Sequence, residues 1–239
     1  MTSQQPLFQA TAISKRFGGL QALVDVDAAQ RPDELLGLIG PNGSGKSTFV
    51  NIMSGTLKAD RGEVWLQGQV ISGMPQHEVA RAGLSRTFQA IKIFRELSIM
   101  ENVTAGLLGH GIGPAAALER AREALDRVGL VSDTTLKAGR LGLFDQRRLE
   151  FAMRLVARPK LLMLDEPVGG LNPEEIRAMI ALITALRDQC GIFIIEHTMK
   201  VITSLADRVM VFVNGRKLID DKPSVVLRDR AVIETYLGA

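Results

Sequence analysis

Residues 40–48 read Gly40-Pro41-Asn42-Gly43-Ser44-Gly45-Lys46-Ser47-Thr48. They fit the phosphate-loop pattern G-x-x-x-x-G-K-[ST]. No other feature constrains the fold as tightly, because such a loop works only between a buried strand and the start of a helix. Both flanks are present: the short apolar run Leu35 to Ile39 precedes the loop and the helix-like stretch FVNIMSG follows it. Glycines permit positive φ and a close backbone approach, while successive N–H groups and a helix N-terminus cradle a β-phosphate. Lys46 would neutralise β/γ charge and Ser47 would ligate Mg²⁺. The plain alternative is a chance glycine-rich turn, which the strand–loop–helix context disfavours.

Three more apolar runs match the one before the loop: Leu161 to Leu164, Ile192 to Ile195 and Val209 to Val213, the last ended by the turn pair Asn214-Gly215. Continuous apolar runs of this length read as strands buried on both faces of a parallel sheet. Segments of helical period lie between them, so the expectation is a mainly parallel α/β sheet covered on both sides, with ligand loops at the C-terminal strand ends. Leu7 to Ile13 and Glu63 to Gln67 alternate, and read as strands of an antiparallel sheet. From Met100 to Leu155 no run is strand-like. Leu118, Ala121, Leu125 and Val128 fall on one helical face that Gly129 terminates, which predicts an inserted helical subdomain. His110 to Pro114 reads as a loop, and no internal repeat or low-complexity tract is apparent.

Composition narrows the class. At 239 residues the chain suits one large domain or two intimate subdomains, and 46% hydrophobic against 23% charged residues supplies a substantial core. The balance of 29 basic and 26 acidic side chains, +3, points to no particular partner. One cysteine, Cys190, excludes an internal disulfide framework and any multi-cysteine metal site. No segment is long and apolar enough to span a bilayer, and the polar start MTSQQP lacks the order of a signal peptide. The expectation is a cytoplasmic chain that works at a membrane only by docking on another protein.

Two carboxylates, Asp165 and Glu166, close the apolar run at 161–164. Asp165 would hold Mg²⁺ through water, and Glu166 would orient or deprotonate the attacking water. Their plain alternative is an acidic helix cap before Pro167. Ile195-Glu196-His197 places a histidine at the next strand end, either as a γ-phosphate sensor or as a structural residue.

With these motifs in order, the sequence resembles the nucleotide-binding subunits of ABC transporters from about Phe8 to Leu237. The resemblance implies a P-loop NTPase fold: a RecA-like parallel core and an antiparallel β subdomain formed by 1–88 and 159–239, with a helical subdomain at 89–158. It implies that Phe17, in SKRFGG, stacks on adenine, although a core phenylalanine is the alternative. It implies that Gln89, in SRTFQ, touches Mg²⁺ and the water and couples the site to membrane subunits. Asp165 and Glu166 correspond to the Walker B pair, Gly170-Leu171-Asn172 to the D-loop and His197 to the switch histidine. The wording SRTFQAIKIFRELSIMENV, LDEPVGGLNPEE, IIEHTMKVI and RDRAVIETYLGA is similar to the ATPase subunits of high-affinity branched-chain amino-acid importers. Urea importers and lipopolysaccharide exporters share parts of it. The implied ligands are ATP and Mg²⁺, and the implied partners are integral-membrane permeases, a second ATPase and, indirectly, a solute-binding protein. The implied place is the inner face of the plasma membrane.

One segment departs from that family. Where its signature reads LSGGQ or LxYGQQRRLE, this chain has Leu141-Gly142-Leu143-Phe144-Asp145-Gln146 before RRLE. Gly142 removes a hydroxyl whose charge-assisted bond to phosphate is worth roughly 1.5–3 kcal/mol. Phe144 replaces a glycine and Asp145 adds a negative charge, although a merely tolerant loop is the alternative. Because each ATP in a head-to-tail dimer lies between one chain's phosphate loop and the other's signature, a homodimer would hold two poor sites, and a heterodimer with a related ATPase is expected. The competing classes are a regulatory nucleotide-binding module with lost catalysis, and a nucleic-acid-linked ATPase. The latter usually needs tandem domains or a long coiled coil, and no basic stripe with interleaved aromatics supports it.

Overall fold

The structure, a computed structural model, describes residues 5–108, 110–131 and 133–237. Met1 to Gln4 of the polar start and Gly238-Ala239 of the ending lie outside the described residues.

Four apolar runs become the centre of a six-stranded sheet: β3 (Leu35–Ile39), β7 (Leu161–Asp165), β8 (Gly191–Ile195) and β9 (Arg208–Val213). The order is β10-β9-β3-β8-β7-β6, with β6 (Leu84–Arg86) parallel at one edge and β10 (Arg216–Asp221) antiparallel at the other. The runs are continuous because each face of the sheet has its own core. Leu35, Ile39, Leu162, Leu164, Ile192, Ile194, Val209 and Val211 point into one cluster. Leu36, Leu38, Leu161, Met163, Phe193, Ile195, Met210 and Phe212 point into the other. Strand alternation therefore sorts residues between two apolar layers rather than between core and water.

The second cluster is roofed by α1 (Lys46–Met53) and by a four-stranded antiparallel sheet of order β2-β1-β4-β5. Its strands are β1 (Phe8–Phe17), β2 (Leu20–Gln30), β4 (Arg61–Leu66) and β5 (Gln69–Val70). The expected β1 and β4 pair antiparallel, Phe8 opposite Leu66. Gln67, expected inside the second strand, instead turns the chain with a φ of +47°. A short helix, α2 (Gln76–Ala82), leads into β6.

The first cluster extends into α3 (Ile99–Ala105), α4 (Pro114–Arg127) and α5 (Leu143–Leu155), which pack on one another and include no strand, as the sequence predicts for 100–155. Ala121, Leu125 and Val128 are buried, but Leu118 is 36% exposed, and it is the neighbouring Ala117 that packs on the first cluster. Gly129 ends the helix at a φ of +68°. The chain finishes with α6 (Pro173–Leu186), α7 (Met199–Leu205), α8 (Pro223–Val226) and α9 (Arg230–Leu237). No helix among the described residues is long and apolar enough to cross a membrane.

Candidate functional site

The phosphate loop fills the gap between β3 and α1. Gly40 has a φ of +155°, and a side chain there would run into the Phe212 carbonyl and sit 2.6 Å from Ser44 Oγ. Gly45, the N-cap of α1, has a φ of +101° and lies too close to Ala22 O (2.7 Å) for a Cβ. The hairpin turn Asn214-Gly215 buttresses the loop from behind: Gly215 N–H donates to Ser44 O at 3.0 Å, and Gly215 O accepts from Val24 N–H at 2.9 Å. Lys46 Nζ folds back over the loop, donating to Gly40 O (2.6 Å) and Pro41 O (2.9 Å). Burial lowers its pKa, with the charges of Glu166 and Asp165 pulling the other way. The first turn of α1 has no acidic residue, so its free N–H groups face an uncontested anion position.

The acidic half of the site comes from the ends of β6, β7 and β8. Asp165 is the last residue of β7 and receives Arg86 Nη2 at 2.7 Å. Arg86 also holds Asn51 (2.6 Å) and Ser54 (3.2 Å) of the α1 end, with the Phe88 ring 5.1 Å away. Glu166 follows with a φ of +48°, a left-handed conformation uncommon for a side-chain-bearing residue. Its Oε2 accepts from Gln89 Nε2 at 2.9 Å, and its Oε1 lies 3.7 Å from His197 Nδ1. Asp165 and Glu166 do not cap a helix: the next one, α6, is capped by Asn172, which accepts from Glu174 and Glu175 N–H.

The loop and the strand ends border a cleft of roughly 460 Å³, whose lining does not include Gly40, Pro41 or His197. Phe17, Asn42, Gly43, Ser44, Gly45, Lys46, Ser47, Thr48, Gln89, Asp165 and Glu166 all line it. Phe17 is 47% exposed, so it is not a core phenylalanine. One end of the cleft is aromatic, the middle rich in N–H donors and the far end carboxylate, an arrangement able to take a base, a phosphate chain and an attacking water in sequence.

The signature and D-loop residues do not line this cleft; they lie together on another part of the surface. Gly142 is the N-cap of α5 with no side chain to cap it, and nothing lies within 4 Å of where its Cβ would be. Leu143 is 42% exposed and reaches to 3.0 Å from the Cβ position of Gly170. Phe144 turns inward against the first core cluster, its ring 5.0 Å from the Arg148 guanidinium. Asp145 is paired with Arg148 at 2.6 Å, so its charge does not stand alone at the helix tip. Gln146 donates to Leu141 O at 2.8 Å. Leu171 is buried beside Gly170.

Arginines on a helix are ordinarily solvated or free to dock a partner, but Arg147 and Arg148 are neither. Arg147 is buried and donates to Phe88 O (3.2 Å) and Gln89 O (3.1 Å). Glu150, one turn on, accepts from Phe88 N–H (3.3 Å) and Lys92 N–H (3.2 Å). The segment carrying Gln89 is thus clamped to α5 through both its carbonyls and its N–H groups. Arg148 is turned to Asp145 and to the carbonyls of Val128 and Gly129. Arg120 and Arg127 line a separate cleft with Arg158 and Asp188. The i, i+3 spacing of Arg147 and Glu150 inside an apolar helix face was the only sequence signal of the clamp. Arg86 and Glu196 had none beyond adjacency to Gln89 and His197.

The ABC transporter family matches residues 23–169 of the chain. Among curated relatives, the high-affinity branched-chain amino acid transport ATP-binding protein LivG of Escherichia coli K12 is 38% identical, over 98% of each chain. BraF of Pseudomonas aeruginosa, with the same description, is 36% identical over 98% of each. The lipopolysaccharide export system ATP-binding protein LptB of Acidithiobacillus ferridurans is 32% identical over 97% of each. Among solved structures, the ADP conformation of an ATP-binding cassette of an ABC transporter superposes with a TM-score of 0.89 at 28% identity, covering 98% of this chain and 99% of that one.

Proposed function

The chain belongs to the ABC transporter family as an ATP-binding, ATP-hydrolysing subunit, and from that premise we propose how its own residues perform the reaction and which transporter it energises. The carrying observation is the single cleft that gathers Phe17, the phosphate loop, Gln89, Asp165 and Glu166. Phe17 stacks on adenine. The N–H groups of 43–48 and the α1 N-terminus hold the phosphates, and Lys46 exchanges its carbonyl partners for β/γ oxygens. Ser44 Oγ, buried in the loop without a hydrogen-bond partner, suits a phosphate ligand. Glu166 orients and deprotonates the attacking water, Gln89 fixes Glu166 through their 2.9 Å bond, and His197, 3.7 Å from Glu166, contacts the γ-phosphate.

The donors near the phosphate loop also fit Mg²⁺. Ser47, Gln89 and Asp165 offer hard oxygens, and no cluster of three His, Cys, Asp or Glu exists among the described residues to hold a metal without the nucleotide. When bound, the ion would neutralise β/γ charge. Asp165, oriented by Arg86 at 2.7 Å, would hold the ion through water.

The described relatives of LivG and BraF type support branched-chain amino-acid import as the transported class. The 32% identity to an LptB keeps lipopolysaccharide export as the second reading. ABC ATP-binding subunits work with membrane permeases, and this chain would sit peripherally on them, on the cytoplasmic side of the plasma membrane. Residues 89–158 would form the helical subdomain between two stretches of α/β core. The bare Gly142 cap and the inward Phe144 favour pairing with a second, related ATPase that supplies an intact signature, with Gly170-Leu171-Asn172 at the dimer seam.

The test is steady-state ATP hydrolysis by the purified chain over a range of concentrations, with Glu166→Gln as the blank. Mg-ATP binding without turnover above the blank is expected. Turnover that grows with the square of concentration and disappears in Glu166→Gln would establish a working homodimer and refute the heterodimer.

A further inference from the structure

Glu196 stands between β8 and His197 and is completely buried, so it cannot touch a nucleotide in the cleft. A buried carboxylate persists only where donors satisfy it. Here the donors are backbone N–H groups of two different loops. Oε1 accepts from Val168 N–H at 3.4 Å, two residues past Glu166. Oε2 accepts from the N–H groups of His197 (3.2 Å) and Thr198 (3.3 Å).

The position of these bonds gives them meaning. The β7–β8 ladder pairs Asp165 with Ile195 and ends there, with Glu166 N–H donating to Ile195 O at 2.9 Å. Beyond that bond the two chains diverge into the loops that carry Glu166 and His197. The first loop closes on itself through Gly169 N–H to Glu166 O at 3.2 Å. The Glu196 carboxylate then joins this turn to the His197 backbone, taking over where the ladder stops. Burial pushes its carboxyl pKa up, nearby Glu166 adds to the rise, and the backbone donors together with His197 oppose it. No Lys or Arg pairs with it among the described residues.

We propose that Glu196 is a positioning residue for ATP hydrolysis: by bridging the Glu166 turn to the His197 loop, it sets the 3.7 Å separation of the two side chains that act on the γ-phosphate and its water. The proposal rests on the roles assigned to Glu166 and His197 above. Three N–H groups on two oxygens cannot be matched by a carboxamide, which presents one oxygen and one N–H₂. Glu196→Gln therefore keeps size and polarity while turning a donor against one of the loops.

The experiment uses the chain purified with its native partner subunits through a tag, and compares wild type, Glu196→Gln, His197→Ala and the double variant. Glu196→Gln is expected to lower kcat by about tenfold or more, with KM for ATP within about twofold, because the phosphate loop is untouched. On the His197→Ala background the same change should lower kcat by less than about twofold, as expected when one residue acts through the other. A normal kcat in Glu196→Gln alongside a lowered one in His197→Ala overturns the proposal and leaves the His197 role standing. A normal kcat in His197→Ala overturns that role itself. Losses that multiply in the double variant mean Glu196 acts elsewhere, and also overturn the proposal. Glu196→Asp, which keeps the charge but is one methylene too short to span both loops, gives an independent arm by NMR. His77, His110 and His197 are the only imidazoles of the chain. A shifted His197 ring resonance with the other two unmoved is expected in Glu196→Asp, and an unmoved His197 resonance overturns the proposal.

Discussion

Gly40 and Gly43 belong to the same nine-residue motif, yet the structure asks different things of them. At Gly40 the space for a side chain is already occupied by the Phe212 carbonyl and the Ser44 hydroxyl, whereas at Gly43 nothing lies within 4 Å and only the φ of +77° resists substitution. Gly43→Ala should cost about 1–2 kcal/mol, the ordinary penalty of a left-handed residue. Gly40→Ala should cost more than that, on the order of 3 kcal/mol or above, because backbone must move. Urea unfolding of the two variants checks the order, and equal costs would mean the β3–β9 contact behind the loop yields easily. The motif itself was fully legible in the sequence. Which glycine the fold leans on was not, because Phe212 and Ser44 approach Gly40 from 172 and four residues away.

At the scale of elements, α5 joins two loops that the sequence reads separately. Its N-terminus presents Gly142 and Leu143, and its second turn holds the Gln89 segment through Arg147 and Glu150. This separates the effects of the unusual signature residues. Gly142→Ser adds an N-cap hydroxyl in open space and should stabilise the chain by no more than a few tenths of a kcal/mol. Phe144→Gly strips a half-buried ring from the core and from Arg148 and should cost about 2–4 kcal/mol. Any gain in ATP turnover is therefore expected from Gly142→Ser alone. Thermal unfolding and ATPase measurements on the separate variants check this, and a gain confined to Phe144→Gly would reverse the assignment. The resemblance sets Phe144 and Asp145 at signature positions that face a phosphate, but alignment position carries no side-chain direction. The fold turns one inward and pairs the other with Arg148.

For the whole molecule, the buried carboxylates set a pH dependence. Burial raises the pKa of Glu150, which faces Arg147 and Arg154, and of Glu196, which faces His197 and Glu166. The folded chain then holds more protons than the unfolded one above the ordinary glutamate value of ~4.3, so their contribution to stability is complete below that pH and is lost as pH rises through the raised values. Hydrogen bonds lower the pKa of Asp60, Glu101 and Asp133, whose contribution is present above the ordinary values and lost as pH falls through the lowered ones. The melting temperature should peak between the ordinary carboxylate range and the raised values of Glu150 and Glu196, and Glu196→Gln should flatten its alkaline limb. A stability that climbs steadily from pH 5 to 8 would contradict this. The sequence by itself determined the strands of the parallel core, the helical stretch between them and the residues around the phosphates, since these rest on local spacing: apolar runs of strand length, a helical period, a glycine-rich loop between the two. Only the tertiary structure decided that Phe17 faces the cleft, that Arg86 holds Asp165, that Arg147 and Glu150 grip the Gln89 segment and that Glu196 ties Glu166 to His197. Arg147, Glu150 and Glu196 bury polar groups against backbone partners, Arg86 reaches the Asp165 side chain 79 residues away, and Phe17 meets the phosphate loop only across the cleft, none of which a local pattern records.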